Sequence, residues 1–116
     1  MNRTLITLIF ISLFLFQISV AIAHPPSKII LEFNAETSIL KVEMPHKVKD
    51  ASEHFINKVE IKLNGKEIVK QEFFTQKDTG KQMVMYQIHD AKSGDTLEVT
   101  AHCNVFSKKK ETIQIP

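Results

Sequence analysis

The sequence predicts an all-β chain, folded as an immunoglobulin-like antiparallel β-sandwich of about seven strands. Three observations lead there. Apolar and polar residues alternate in short runs, as in Val59, Ile61 and Leu63 against Glu60, Lys62 and Asn64, which is the period of a half-buried strand. Turn-forming groups such as Asn64-Gly65 and Ser93-Gly94-Asp95 separate these runs at short intervals, a spacing typical of sandwich domains. Beyond residue 23, no stretch of about twelve residues sustains the 3.6-residue period of a helix.

The elements follow in order. Lys28 to Phe33 is an apolar run closed by a turn at Asn34-Ala35-Glu36-Thr37. Ser38 to Met44 alternates imperfectly, because Ile39 and Leu40 adjoin. After the strand through Val59, Ile61 and Leu63, Asn64-Gly65 supplies a type I′ hairpin turn, whose two central residues both need positive φ. Glu67 to Phe74 returns from that turn. Gln82 to Ile88 follows the Lys77-Asp78-Thr79-Gly80 loop, with Val84, Tyr86 and Ile88 on one face. Leu97, Val99 and Ala101 mark the next strand, and Thr112 to Ile115 the last. Lys108-Lys109-Lys110 reads as a solvated turn. The longest irregular stretch is Pro45 to Phe55, PHKVKDASEHF, in which Asp50-Ala51-Ser52-Glu53 has capping-box spacing for one helical turn. A loop this long in a small domain is commonly functional, and it carries two of the five histidines.

Residues 1–23 have a different character. Arg3 is followed by an apolar run from Leu5 to Phe16, broken only by Thr7 and Ser12, and the segment ends Ala21-Ile22-Ala23. That pattern predicts a signal peptide at 1–23 with cleavage before His24; an uncleaved membrane anchor is the alternative. The expectation is an exported protein, periplasmic or secreted, whose working domain is 24–116.

Charge and composition exclude several classes of function. Lys and Arg number 15 against 13 Asp and Glu, a near-neutral balance that gives no electrostatic case for nucleic acid. Three glycines leave no phosphate-cradling loop. The single cysteine, Cys103, has no partner within the chain and no CxxC motif. In an exported chain it reads as an intermolecular bridge, a reactive thiol, a metal ligand or a buried inert thiol.

The histidines sharpen that choice. His24 lies at the predicted cleavage point, and His46 and His54 lie towards the two ends of the long loop. Three imidazoles with the Cys103 thiolate suit a first shell for Fe(II), Zn or Cu, since all are borderline or soft donors. A blue-copper site is disfavoured, because no His or Met follows Cys103. His102 adjoins Cys103 on a strand and so faces away from it. His89 beside Asp90 reads as solvated. Cleavage before His24 would also expose an α-amine as a further donor.

At these residues the chain resembles the iron-binding domain of the superoxide reductase (desulfoferrodoxin) family. The resemblance rests on His24-Pro25-Pro26, Pro45-His46, Glu53-His54-Phe55-Ile56, the strand Val59 to Lys66 with its Asn-Gly-Lys turn, and Cys103-Asn104, in that order. It implies an immunoglobulin-like sandwich, a mononuclear non-haem Fe(II)/Fe(III) site held by His24, His46, His54 and Cys103, and one-electron reduction of superoxide with an electron donor the sequence does not identify. The chain departs from the family pattern at three places. Phe106 stands where the family has a histidine three residues after its cysteine. His46 and His54 are eight apart, two more than in the family motif, and Ile22-Ala23 replaces a Glu-Lys pair. A non-catalytic metal-binding or protein-binding module is therefore the alternative to a reductase.

Overall fold

The computed structural model describes residues 24–116, so the predicted signal segment lies outside the described residues. Seven strands form: β1 (Ile30–Asn34), β2 (Ile39–Pro45), β3 (Ile56–Leu63), β4 (Lys66–Glu72), β5 (Lys81–Gln87), β6 (Thr96–Cys103) and β7 (Ser107–Gln114). They pair antiparallel in a three-stranded sheet, β1-β2-β5, and a four-stranded sheet, β4-β3-β6-β7. The described residues contain no α-helix, in line with the missing helical period.

The inner faces of both sheets supply one core. Leu40, Val42 and Met44 of β2 meet Val59 and Ile61 of β3 and Leu97, Val99 and Ala101 of β6, all fully buried. Each large aliphatic side chain among them contributes about 1.5–3 kcal/mol by leaving water. The uneven start of the second strand has a simple cause: Leu40 faces the core, and Ile39 lies exposed on the outer face.

Turn chemistry sets the register. Asn64 and Gly65 have φ of 51° and 83°, as a type I′ turn requires. The Asn64 side chain ties this hairpin to the neighbouring strand, its Oδ1 accepting from Thr96 N at 2.9 Å and its Nδ2 donating to Asp95 Oδ1 at 3.0 Å. Elsewhere the lysine run corrects the sequence expectation. Lys108-Lys109-Lys110 lies inside β7, paired in that order with His102, Ala101 and Thr100 of β6. β7 is an edge strand, so charged side chains there stay in water and keep other chains from pairing. The turn sits earlier, at Asn104, Val105 and Phe106, with Phe106 at φ 63°.

The long loop is ordered by backbone bonds. His46 N and Val48 N donate to Gly80 O and Thr79 O, both at 2.8 Å, which lays 46–48 against the entry to β5. Asp50 then closes a single turn, its carbonyl accepting from Glu53 N at 3.2 Å and His54 N at 3.0 Å. Its carboxylate takes Ser52 N at 2.9 Å and Ser52 Oγ at 2.6 Å, so the turn expected from Asp50 to Glu53 forms. Ser27 N donates to Pro45 O at 2.9 Å, holding the segment before β1 at the end of β2.

Candidate metal centre

Four chain segments deliver the predicted site residues to the same end of the molecule. His24 precedes β1, His46 follows β2, His54 precedes β3 and Cys103 ends β6. Ile56 pairs with Cys103 in the β3–β6 register, which brings the residues just before β3 over the end of β6. The rings of His24, His46 and His54 form a triangle with centroid separations of 4.9, 5.0 and 4.8 Å. One nitrogen from each lies within 4.8 Å of the other two. His54 Nε2 is 3.0 Å from Cys103 Sγ, and that sulfur is buried with the core. All four residues named from the sequence are thus drawn together, the thiol entering through His54.

Two of the imidazoles, His46 and His54, are held by groups behind them. His46 is 1 % exposed, and Gln76 fixes its tautomer. The Gln76 amide nitrogen donates to His46 O at 2.7 Å and to Asp78 O at 2.9 Å, and its Oε1 accepts from Ile56 N at 3.2 Å. The orientation of that amide is therefore set, and Oε1, 2.8 Å from His46 Nδ1, accepts the ring proton. In the neutral ring Nε2 then carries the lone pair. It lies 3.1 Å from His24 O, which can only accept. Both ring nitrogens thus face oxygen acceptors, and a neutral ring can donate to only one of them. An imidazole with Nδ1 held by a supporting acceptor is also the arrangement in which Nε2 ligates a metal.

His54 is held by its neighbours in the chain. Asn104 donates from Nδ2 to Glu53 O at 2.7 Å and accepts at Oδ1 from Phe55 N at 3.0 Å, while its own amide donates to Phe55 O at 3.0 Å. One side chain thereby grips the backbone on both sides of His54. Burial and the adjacent His46 and His24 lower the His54 pKa below its ordinary value, so its ring is neutral at physiological pH with a lone pair to offer.

His24 and His54 open on a cleft of about 510 Å³ lined also by Lys47, Val48, Lys49, Asp50 and Glu53. The imidazole cluster is thus reachable by small solutes. The donor set fits a transition metal: three imidazoles, an adjacent thiol and supporting acceptors, with no carboxylate in the group.

The remaining candidates lie apart. His102 points to the outer face of its sheet, with Nε2 2.5 Å from Glu60 Oε1, as strand alternation requires. His89 is exposed and 3.2 Å from Asp90. Phe106 is fully exposed at the β6–β7 turn and offers no donor. Sequence reasoning missed Gln76 and the reach of Asn104, although Cys103-Asn104 was noted as a pair. Gln76 sits in a loop with no local signal, and only the approach of that loop to β2 and β3 gives it a role. No family model, curated protein or solved structure matches this chain.

Proposed function

We propose that this chain is an exported mononuclear non-haem iron protein of superoxide reductase type, its metal held by His24, His46, His54 and Cys103. The observation that carries the reading is the convergence of three imidazole nitrogens within 4.8 Å, with the Cys103 sulfur 3.0 Å from one of them. The strand order β1-β2-β5 over β4-β3-β6-β7 supports the immunoglobulin-like form of sandwich, and the apolar leader at 1–23 supports export.

Bound ferrous iron would supply one electron to superoxide, which takes two protons from solvent and leaves as hydrogen peroxide. The chain's own contribution is positional. Gln76 keeps the His46 proton on Nδ1 and its lone pair on Nε2. Asn104 sets the backbone that carries His54. Cys103, within the apolar core, offers a sulfur donor shielded from water on the inner side, while the cleft beside His24 and His54 admits a small anion.

A non-catalytic metal binder is the second reading, favoured by one observation. Phe106, where the family resemblance places a further histidine, projects fully into solvent, leaving three imidazoles. Superoxide consumption by the iron-loaded chain separates the two. A reductase forms peroxide without releasing dioxygen, and Cys103→Ser reduces the rate at least tenfold. Superoxide decay at the buffer rate with the loaded wild type would leave the binder.

A further inference from the structure

The imidazole cluster lies beside a nitrogen that no side chain supplies. Removal of residues 1–23 is hydrolysis of the Ala23–His24 peptide bond: one water is consumed, Ala23 keeps the carboxylate, and His24 gains a primary α-amine. As a peptide nitrogen that atom is no ligand, because its lone pair is delocalised into the preceding carbonyl. As an amine it is a nitrogen donor suited to the same metals as imidazole. The pattern Ala21-Ile22-Ala23 places the cut directly before a residue of the cluster. Among the described residues, no other side chain stands ready as a fourth nitrogen donor. His102 and His89 are engaged with Glu60 and Asp90. Of the cleft's carboxylates, Asp50 is taken up by Ser52, and Glu53 lies outside the group whose donor atoms are within 4.8 Å of one another.

The segment that carries this nitrogen is anchored on its C-terminal side. Pro26 is fully buried, and Ser27 donates to Pro45 O from N at 2.9 Å and from Oγ at 3.3 Å, one residue before His46. Pro25 holds His24 to the extended range of ψ, in which a residue's nitrogen and carbonyl oxygen lie on the same side, about 3 Å apart. The His24 carbonyl oxygen is 3.1 Å from His46 Nε2, so the nitrogen is carried to the edge of the imidazole group. Pro25 has no N–H, so the next backbone nitrogen cannot ligate in its place. His24 Nδ1 makes a 3.3 Å contact with Pro25 O, at the long end of hydrogen bonding, and little is lost when that nitrogen turns to a metal. We propose that the His24 α-amine, freed by removal of 1–23, is a metal ligand and chelates together with the His24 imidazole. The inference rests on the metal reading of the site and on cleavage before His24. Processing then completes the donor set: the precursor has three imidazoles and the thiol, and the processed chain has a fourth nitrogen. Two donors on one residue reinforce each other, the second binding at the effective concentration set by the first, so full affinity arises only after the leader is removed.

The test uses the chain expressed with its own leader and purified after export, its first residue read from the mass of the processed protein. The variant has one glycine inserted between Ala23 and His24, which keeps every side chain and moves the amine one residue away. Affinity for Fe(II) is measured without oxygen by competition with a chromophoric chelator. A second readout is acetylation of the α-amine by acetic anhydride, followed by mass on the N-terminal peptide. The wild type should begin at His24 and bind Fe(II) at least tenfold more tightly than the variant, with equal denaturant melts of the two metal-free chains. Bound Fe(II) should slow acetylation of the wild-type amine at least tenfold. Equal affinities, or a wild-type amine acetylated at the same rate with and without Fe(II), would overturn amine ligation and leave the imidazoles and Cys103 standing. A wild type processed at another residue would do the same. Weaker binding by a variant whose metal-free melt also falls would overturn it too, by assigning the loss to the fold of the segment. No Fe(II) binding by either chain would overturn the metal reading and amine ligation with it.

Discussion

Gln76 is the residue on which the candidate site turns. Its amide spans His46, Ile56 and Asp78, and it settles which nitrogen of His46 faces the other imidazoles. Gln76→Leu keeps the volume but removes every one of these bonds. The expected result is a loss of about 1–3 kcal/mol for each buried group left unpaired and a metal affinity weaker by about 10–100-fold. Denaturant melts of the metal-free chain and competition against a chromophoric chelator measure the two effects separately. An unchanged affinity would mean that His46 is not oriented through Gln76. The contrast with Cys103 shows what a sequence can disclose about single residues. Cys103 was conspicuous because it is alone, and its inward direction followed from the apolar alternation of Leu97, Val99 and Ala101. Gln76 had no such mark, because a glutamine's role depends on which backbone comes to it from elsewhere.

At the scale of elements, strands with an apolar run or alternation were legible, the edge strands β1, β4 and β5 among them, and the first half of β7 was not. β6 buries every second residue and β3 does so at Val59 and Ile61, and that period is written in their sequences. β7 pairs on one side only and is rich in lysine, so its first half reads as a turn. The Asn64-Gly65 hairpin was legible because its backbone demands residues that tolerate positive φ. Gly65 has φ 83° and open space where a Cβ would go, so Gly65→Ala adds strain without a clash. It should destabilise the chain by about 1–2 kcal/mol. The turn lies at the far end of β3 from His54, so metal affinity should stay within twofold of the wild type. A chelator titration alongside the melt checks both, and a large loss of affinity would show that the site depends on the whole hairpin.

For the whole molecule, the organising feature is one end of the sandwich where loops from both sheets meet. Neither sheet alone carries the site: His46 hangs from one, while His54 and Cys103 belong to the other. The convergence itself was not legible from spacing, since it depends on sheet packing and on the 46–55 loop being folded back by the Asp50 turn. Two aspartates hold the loops at this end. The amides of Gly80 and Lys81 keep the Asp78 carboxyl below its ordinary pKa, and the Ser52 hydroxyl and amide do the same for Asp50. Because both folded-state values are depressed, their stabilisation is complete above about pH 4 and is lost as pH falls through the lower folded values. Melts of the metal-free chain should therefore weaken below about pH 4, with a shallower decline in Asp78→Asn. An equal decline in that variant would place the acid sensitivity elsewhere. The account as a whole stands on the joining of Cys103 to the three imidazoles around one metal. The direct measurement is the visible spectrum of the chain after anaerobic loading with Fe(II) and oxidation, taken with an iron count per chain. The account predicts one iron per chain and a thiolate-to-iron charge-transfer band that disappears in Cys103→Ser. Iron bound with no such band, or a band that survives the substitution, would contradict it.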